Sequence, residues 1–336
     1  MTGSVADLIS ALVKEIGDND ANQAVSNFID TGFEPLNYAM SGRADGGLPM
    51  GRMVEMFGES STGKTALATQ WMIKAQQMGG VAIFIDWERS FDVGMAESLG
   101  LKTERPYWIY SKPKTWEEGN MIAAKACKLI REHKVIAADA PILVVFDSIA
   151  AALPKSMADK EIDEYSMNDT TALARVTSTT LKSQAQWADQ FQACFLYLNQ
   201  IRLKPGVVYG DPRTTPGGKA MEYYSTVRIA LGRSKIMEQR DGEKEFTGQL
   251  ITAQIVKSKM TAPFKEAQLR MNFDETGMAS FDTVASLLDY LVDKKKIASS
   301  GPRVTWTDGK TYFKKALVEK IKTEGLEAEL KAMFTT

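Results

Sequence analysis

Residues 58–65 read GESSTGKT, between the apolar run GRMVEMF and the helical stretch ALATQWMIKAQQM. A G-x-x-x-x-G-K-[ST] loop works only where a strand delivers it and a helix leaves it, because the N–H groups at that helix start converge on phosphate oxygens. The motif therefore demands a strand–loop–helix unit, and such units assemble as parallel strands with helices across the faces. Gly58, Glu59, Ser60, Ser61, Thr62 and Gly63 are expected to form the cradle. Lys64 is expected to reach the β- and γ-phosphates, and Thr65 to bind Mg²⁺. ATP and Mg²⁺ are the expected cofactors.

The rest of the chain agrees with that unit. GVAIFID, PILVVFDS and QACFLYLNQ are short apolar runs separated by helical stretches, as in a mostly parallel sheet. STVRIAL and LITAQIVKSK follow one another with no helical segment between them, which predicts an antiparallel extension at one edge. The expected class is α/β, and three zones are expected. Residues 1–32 begin with a helix whose Val5, Leu8, Ile9, Leu12, Val13 and Ile16 make one apolar face. That face packs either on its own core or on a neighbouring subunit. Residues 33–274 form the phosphate-binding core. Residues 275–336 read as a small α+β module: helix TVASLLDYLVDKK, hairpin RVTWTDGKTYF turning at Asp308-Gly309, and helix KALVEKIKTEGLEAELKAMF.

Composition removes several alternatives. The chain has 336 residues, 44% of them hydrophobic, enough to bury a real core. No apolar run reaches the ~20 residues of a membrane helix, and the amino terminus lacks a secretory pattern, so a cytoplasmic protein is expected. Cys127 and Cys194 fall in a helix-like and a strand-like run, as free thiols rather than a disulfide. One histidine, His133, cannot supply chemistry that needs several. The net charge of −1 means that affinity for nucleic acid must come from local cations.

Strand ends supply the remaining chemistry. In open parallel sheets, ligands bind beyond the carboxyl ends of the strands. ILVVFDS places Asp147 there, where a carboxylate can hold Mg²⁺ together with Thr65. VAIFIDWE ends in Asp86 and Glu88, which alternation sends to the same side, and Glu88 is the expected base for an attacking water. Asn199 and Gln200 close a further strand, and Gln200 is placed to sense a γ-phosphate. The segment that follows, IRLKPGVVYGDPRTTPGGK, is far longer than an ordinary connection and is rich in glycine, proline and cations.

In order and spacing, GGLPMGRMVEMFGESSTGKT, FIDWE, VVFDSIAAALPK, NQIRLKPGVVYGDPRTTPGGKAM and VKSKMTAPFKEA resemble the bacterial RecA recombinases, including their phage-encoded relatives. The resemblance runs from about Asp30 to near the carboxyl terminus. It implies a RecA-like P-loop core that polymerises as a helical filament on single-stranded DNA and exchanges strands with double-stranded DNA in recombination, repair and the SOS response. By the same resemblance Glu88 activates water, Asp147 supports the metal, and Gln200 couples nucleotide to DNA. Lys257 and Lys259 match lysines that reach the γ-phosphate of the adjoining subunit. Asp92 and Met95 fall at the adenine site. The segment 1–32 is implied to be an oligomerisation element that packs on the neighbouring subunit, the reading we favour, and two segments, about 157–175 and 201–219, are implied to grip DNA. Met167, Arg175, Ser178 and Lys182 belong to or follow the first. Arg202, Lys204, Pro205, Tyr209, Arg213, Gly217, Gly218 and Lys219 belong to the second. Single-strand-binding or loader proteins are further implied partners, and no membrane is.

The chain departs from the family pattern in places. Pro205 stands where the family commonly has an aliphatic wedge, and Met95 stands where it has a stacking tyrosine. The ending LKAMFTT lacks the long acidic tail of many relatives. Lys294, Lys295, Lys296, Arg303, Lys310, Lys314 and Lys315 read as a solvated face, against a family reading of duplex capture. Two rival readings are a ring-forming helicase-type motor and a regulatory RecA-fold ATPase that does not bind DNA.

Overall fold

The computed structural model describes residues 4–5, 10–11, 24–164, 166, 171–203, 213–240 and 243–335. The expected amino-terminal apolar face therefore lies largely outside the described residues, as do Met167, Lys204, Pro205 and Tyr209. Of that face, Val5 is described, and it is exposed.

The motif is delivered as its chemistry requires. Strand β1 (Met53–Gly58) runs into the loop, and helix α1 (Lys64–Gln77) leaves it. Four further strands lie parallel to β1 in one block: β2 (Val81–Asp86), β3 (Trp108–Ser111), β4 (Ile142–Asp147) and β5 (Ala193–Gln200). The long β6 (Val227–Arg240) joins that block parallel to β1, then turns back antiparallel as β7 (Glu243–Ser258). β8 (Glu266–Phe273) and β9 (Ala279–Asp282) extend the antiparallel side, giving the order β9-β8-β7-β6-β1-β5-β4-β2-β3. The antiparallel edge is the one expected from adjacent strand runs. β3, β8 and β9 are not among the strands expected from the sequence. β3 is only four residues long, and β8 alternates polar with apolar instead of forming an apolar run.

β1, β2 and β4 are buried along their whole length, as strands covered on both faces must be. Alternate residues feed two cores. Val54, Met56, Phe84, Val145 and Leu196 meet Leu67, Trp71 and Met72 of α1 on one face. Ile83, Val144, Phe146 and Tyr197 meet helices α2 (Trp116–Glu132) and α3 (Ala172–Phe191) on the other. Cys127 and Cys194 are buried and free, and burial pushes both thiols up. His133 is exposed at the end of α2. No helix among the described residues is long and apolar enough to cross a membrane.

A third apolar cluster gathers α4 (Thr283–Asp293), α5 (Lys314–Glu324) and α6 (Glu327–Thr335) with Val304 and Trp306. The stretch read as one carboxyl-terminal helix is two, because Gly325 takes a left-handed φ of 67° and caps α5. Several of its cations are already engaged. Lys314 pairs with Asp289 at 2.7 Å, Lys315 with Glu238 at 3.2 Å, Lys296 donates to the Phe334 carbonyl, and Arg303 lies over Phe313.

Gly119 of α2 lies against Trp87 at the end of β2, where an added Cβ would come within 2.5 Å of Trp87 Cζ2. Gly→Ala at an open helix position stabilises by about 1 kcal/mol. Here close packing reverses the sign, so Gly119→Ala should lower the thermal midpoint in calorimetry, and a rise would contradict this packing.

Candidate active site

Ser61 and Gly63 take positive φ of 58° and 85°, interrupting the right-handed backbone as α1 begins. Such alternation turns successive N–H groups toward one anion. Thr62 Oγ1 closes the turn by donating to the Glu59 carbonyl at 2.9 Å. Lys64 Nζ reaches back to the carbonyls of Gly58 (3.0 Å) and Glu59 (2.8 Å). Burial holds its pKa down, while the charges of Asp147 and Glu88 oppose that shift. An ammonium parked on two neutral carbonyls gains when phosphate oxygens replace them, since charge-assisted bonds are stronger.

Thr65 Oγ1 donates to Asp147 Oδ2 at 2.9 Å. Asp147 is buried at the end of β4, and burial, helped by the nearby Glu88 charge, pushes its carboxyl up to about 7. A cation in that place would reverse the penalty. The hydroxyl and carboxylate are the hard oxygen donors that Mg²⁺ takes alongside substrate phosphates. No cluster of three or more His, Cys, Asp or Glu among the described residues forms a metal cage. The donor set thus fits a metal brought in with a nucleotide.

Glu88 is fixed from behind. Its N–H and that of Trp87 donate to the Asp147 carbonyl at 3.2 and 2.7 Å. The Trp87 ring stacks on Trp116 and Phe146 and anchors the strand end in the core. The Glu88 Oε1 accepts from Ser148 Oγ and, at 3.3 Å, from Gln200 Nε2. Asp86, the last residue of β2, is consumed by structure: it accepts from Tyr110 Oη (2.8 Å) and the Arg89 N–H (2.6 Å). A cleft of about 420 Å³ is lined by Glu59, Ser60, Ser61 and Gly63–Ala66, with Glu88, Asp147, Gln200 and Ile201. Ser148 was missed from sequence, although it directly follows Asp147 at the same strand end.

Four residues expected at the nucleotide stand apart from this cleft. Asp92 caps the short helix Val93–Ser98 by accepting from the Met95 N–H, and the Met95 side chain is exposed. Lys257 and Lys259 lie toward the opposite edge of the sheet, since Ser258 pairs with Val227 and Val227 with Val54. Lys257 Nζ donates to the carbonyls of Glu222 and Tyr223. Burial, then the charges of Lys259 and Arg228, bring its pKa down to about 8.

Gln200 is followed at once by a ladder pairing Arg202 with Thr214 and Leu203 with Arg213, so the long segment starts as a short hairpin stem. Arg202 and Lys219 are exposed, and Gly217 and Gly218 both take positive φ in the turn that closes the segment. Arg175, Ser178 and Lys182 are exposed on α3 at i, i+3 and i+7, one face of the helix. On the buried side, Thr177 Oγ1 donates to the Gly217 carbonyl at 2.7 Å. The closing turn of the second segment is therefore rooted on α3, the helix that follows the first.

A family model described as the RecA N-terminal domain matches residues 10–278. The chromosomal RecA protein of Lactococcus lactis subsp. lactis (strain IL1403) is 33% identical over 315 residues, covering 91% of this chain and 76% of that protein. The RecA protein of Geobacter sulfurreducens is 33% identical over 273 residues, covering 81% and 74%.

Lys64→Ala should weaken nucleotide binding at least ~tenfold in titration calorimetry, the scale of one charged hydrogen bond. Unchanged affinity would remove the loop from the nucleotide site.

Proposed function

This chain belongs to the RecA family and is a DNA-dependent recombination and repair ATPase; from that premise we propose how its residues divide the work. Gly58–Gly63 and Lys64 hold the phosphates of ATP, and Thr65 and Asp147 hold Mg²⁺. When bound, the cation neutralises charge on the phosphates. Glu88, oriented by Ser148, takes a proton from the water that attacks the γ-phosphorus, and ADP and phosphate leave. Gln200 senses the γ-phosphate. Arg202, Lys219 and the glycine turn at 217–218, with Arg175, Ser178 and Lys182 of α3, grip single-stranded DNA through its backbone, independently of sequence. Lys204, Pro205, Tyr209, Arg213 and Met167 extend that grip. Asp92 and Met95 face the adenine of the nucleotide.

One observation carries the reading. Gln200 touches Glu88 in the cleft and is separated from Arg202, the first cation of the long segment, by Ile201 alone. A change at the phosphate is thus two residues from the DNA contact. The helicase-type and regulatory alternatives are not favoured, because neither accounts for a cationic segment rooted on the sensing residue.

Lys257 and Lys259 complete the nucleotide site of an adjoining subunit in a helical filament. Their placement supports this: they sit at the level of Glu55 or beyond, three residues back along β1 from Gly58, or roughly 10 Å at ~3.3 Å per residue. Duplex DNA enters the filament for pairing. Single-strand-binding or loader proteins assist assembly.

Glu88→Gln keeps the shape of the side chain and removes the base. It should bind ATP and DNA yet release phosphate ~10²–10⁴-fold more slowly, the usual weight of general-base catalysis; wild-type turnover would place the base elsewhere. Lys257 offers a pH signature. Its pKa lies below the ordinary lysine value, so its charge is complete near pH 7 and is lost as pH rises through about 8. Assembly on single-stranded DNA with ATP, followed by light scattering, should weaken between pH 7 and 9. Lys257→Arg should abolish that loss, since a guanidinium stays protonated; an identical pH profile for the variant would remove Lys257 from the interface.

A further inference from the structure

Strand β1 reads MVEMFG, and its single charge, Glu55, is fully buried. A buried carboxylate survives only when paired, and well-packed apolar residues often do as well or better for stability. Its partners point to a different use. Glu55 Oε2 accepts from Arg228 Nε at 2.6 Å, and Glu55 Oε1 accepts from Asn199 Nδ2 at 2.9 Å. Asn199 is itself fully buried and makes two more contacts: Nδ2 donates to the Pro216 carbonyl at 3.0 Å, and Oδ1 accepts from the Gln200 N–H at 3.0 Å. One amide side chain thus holds both the root of the 201–219 segment and the sensing residue of the cleft.

The other end of the chain of contacts runs toward the far edge of the sheet. Glu55, Arg228 and Lys257 lie opposite one another in register across β1, β6 and β7. Arg228 stacks over Phe57, and its Nη1 stands 3.9 Å from Glu222 Oε1. Glu222 belongs to the five-residue helix Ala220–Tyr224, and its carbonyl receives Lys257 Nζ. An unbroken polar path therefore links Lys257 to Pro216 through Glu222, Arg228, Glu55 and Asn199.

We propose that Asn199, Glu55 and Arg228 are positioning residues that relay the engagement of Lys257 at a subunit interface to the root of the 201–219 segment. The inference rests on the interface reading of Lys257 given above. Lys257 Nζ spends two of its three N–H donors on the Glu222 and Tyr223 carbonyls, so full engagement of a neighbour's phosphate oxygens competes with those two bonds. Drawing it outward releases the short helix, and the shift of Glu222 moves Arg228. The guanidinium carries Glu55 with it, and Asn199 resets Pro216 and Gln200 together. Each segment then answers to two nucleotides: its own, through Gln200, and the neighbour's, through Lys257.

The test is the affinity for a single-stranded oligonucleotide, by fluorescence anisotropy, with a non-hydrolysable ATP analogue and with ADP. In the wild type the ratio of the two affinities should fall in the ordinary coupling range, about 5- to 150-fold. Arg228→Lys keeps the charge and loses the fork, Glu55→Gln keeps the shape and loses the charge, and Lys257→Ala removes the far end. In each the ratio should drop at least fivefold while the thermal midpoint still reports a folded chain. A merely structural role would lower both affinities together and leave the ratio intact, which would overturn the relay. Should Glu55→Gln fail to fold, Arg228→Lys decides by the same ratio. A wild-type ratio of one would instead sink the nucleotide–DNA coupling itself, and the relay with it.

Discussion

The bond from Thr65 Oγ1 to Asp147 Oδ2 joins the first turn of α1 to the end of β4, across the intervening β5. Two strand spacings are bridged, about 10 Å. The bond holds the phosphate loop and the acidic strand end at one fixed separation, and Gln200 emerges from the strand between them. The Asp147 carbonyl in turn takes the N–H groups of Trp87 and Glu88, so Glu88 is referenced to the same strand end. The 58–65 loop, Asp147, Glu88 and Gln200 thus come from four chain segments tied to one edge of one buried sheet. A nucleotide entering there meets groups already in place, which lowers the reorganisation that binding or hydrolysis requires.

In the proposed scheme, rigidity of the sheet lets a small event at the cleft matter at the DNA contact. β5 is buried until its last residue, Gln200, so displacement of Gln200 cannot dissipate backward into the core. It is passed forward into Arg202 and the hairpin stem. Thr177 ties α3 to the same outcome, because its hydroxyl pins that helix to the closing turn of the segment.

Much of this arrangement was legible in the sequence. GESSTGKT between a strand and a helix dictated the α/β class, and the carboxyl-end rule nominated Asp147, Glu88 and Gln200, which now line one cleft with Lys64 and Thr65. What escaped depends on long-range pairing. β8 was overlooked because its polar–apolar alternation differs from the other core runs, and β3 because four residues carry little pattern. The helix break at Gly325 was readable from the glycine itself. Glu55 and Arg228 left a signal, a charge inside each of two apolar runs, but only register shows that the two charges meet. Lys257 and Lys259 could not be assigned a partner from spacing, and their distance from their own phosphate loop is a property of the folded sheet.

The central claim is that the triphosphate cleft is completed by an adjoining subunit and coupled to a grip on unpaired DNA. Phosphate release, measured across protein concentration with and without a single-stranded oligonucleotide, tests it most directly. The account predicts a rate per subunit that rises steeply with protein concentration and is raised further by the oligonucleotide. A rate per subunit indifferent to both would contradict it.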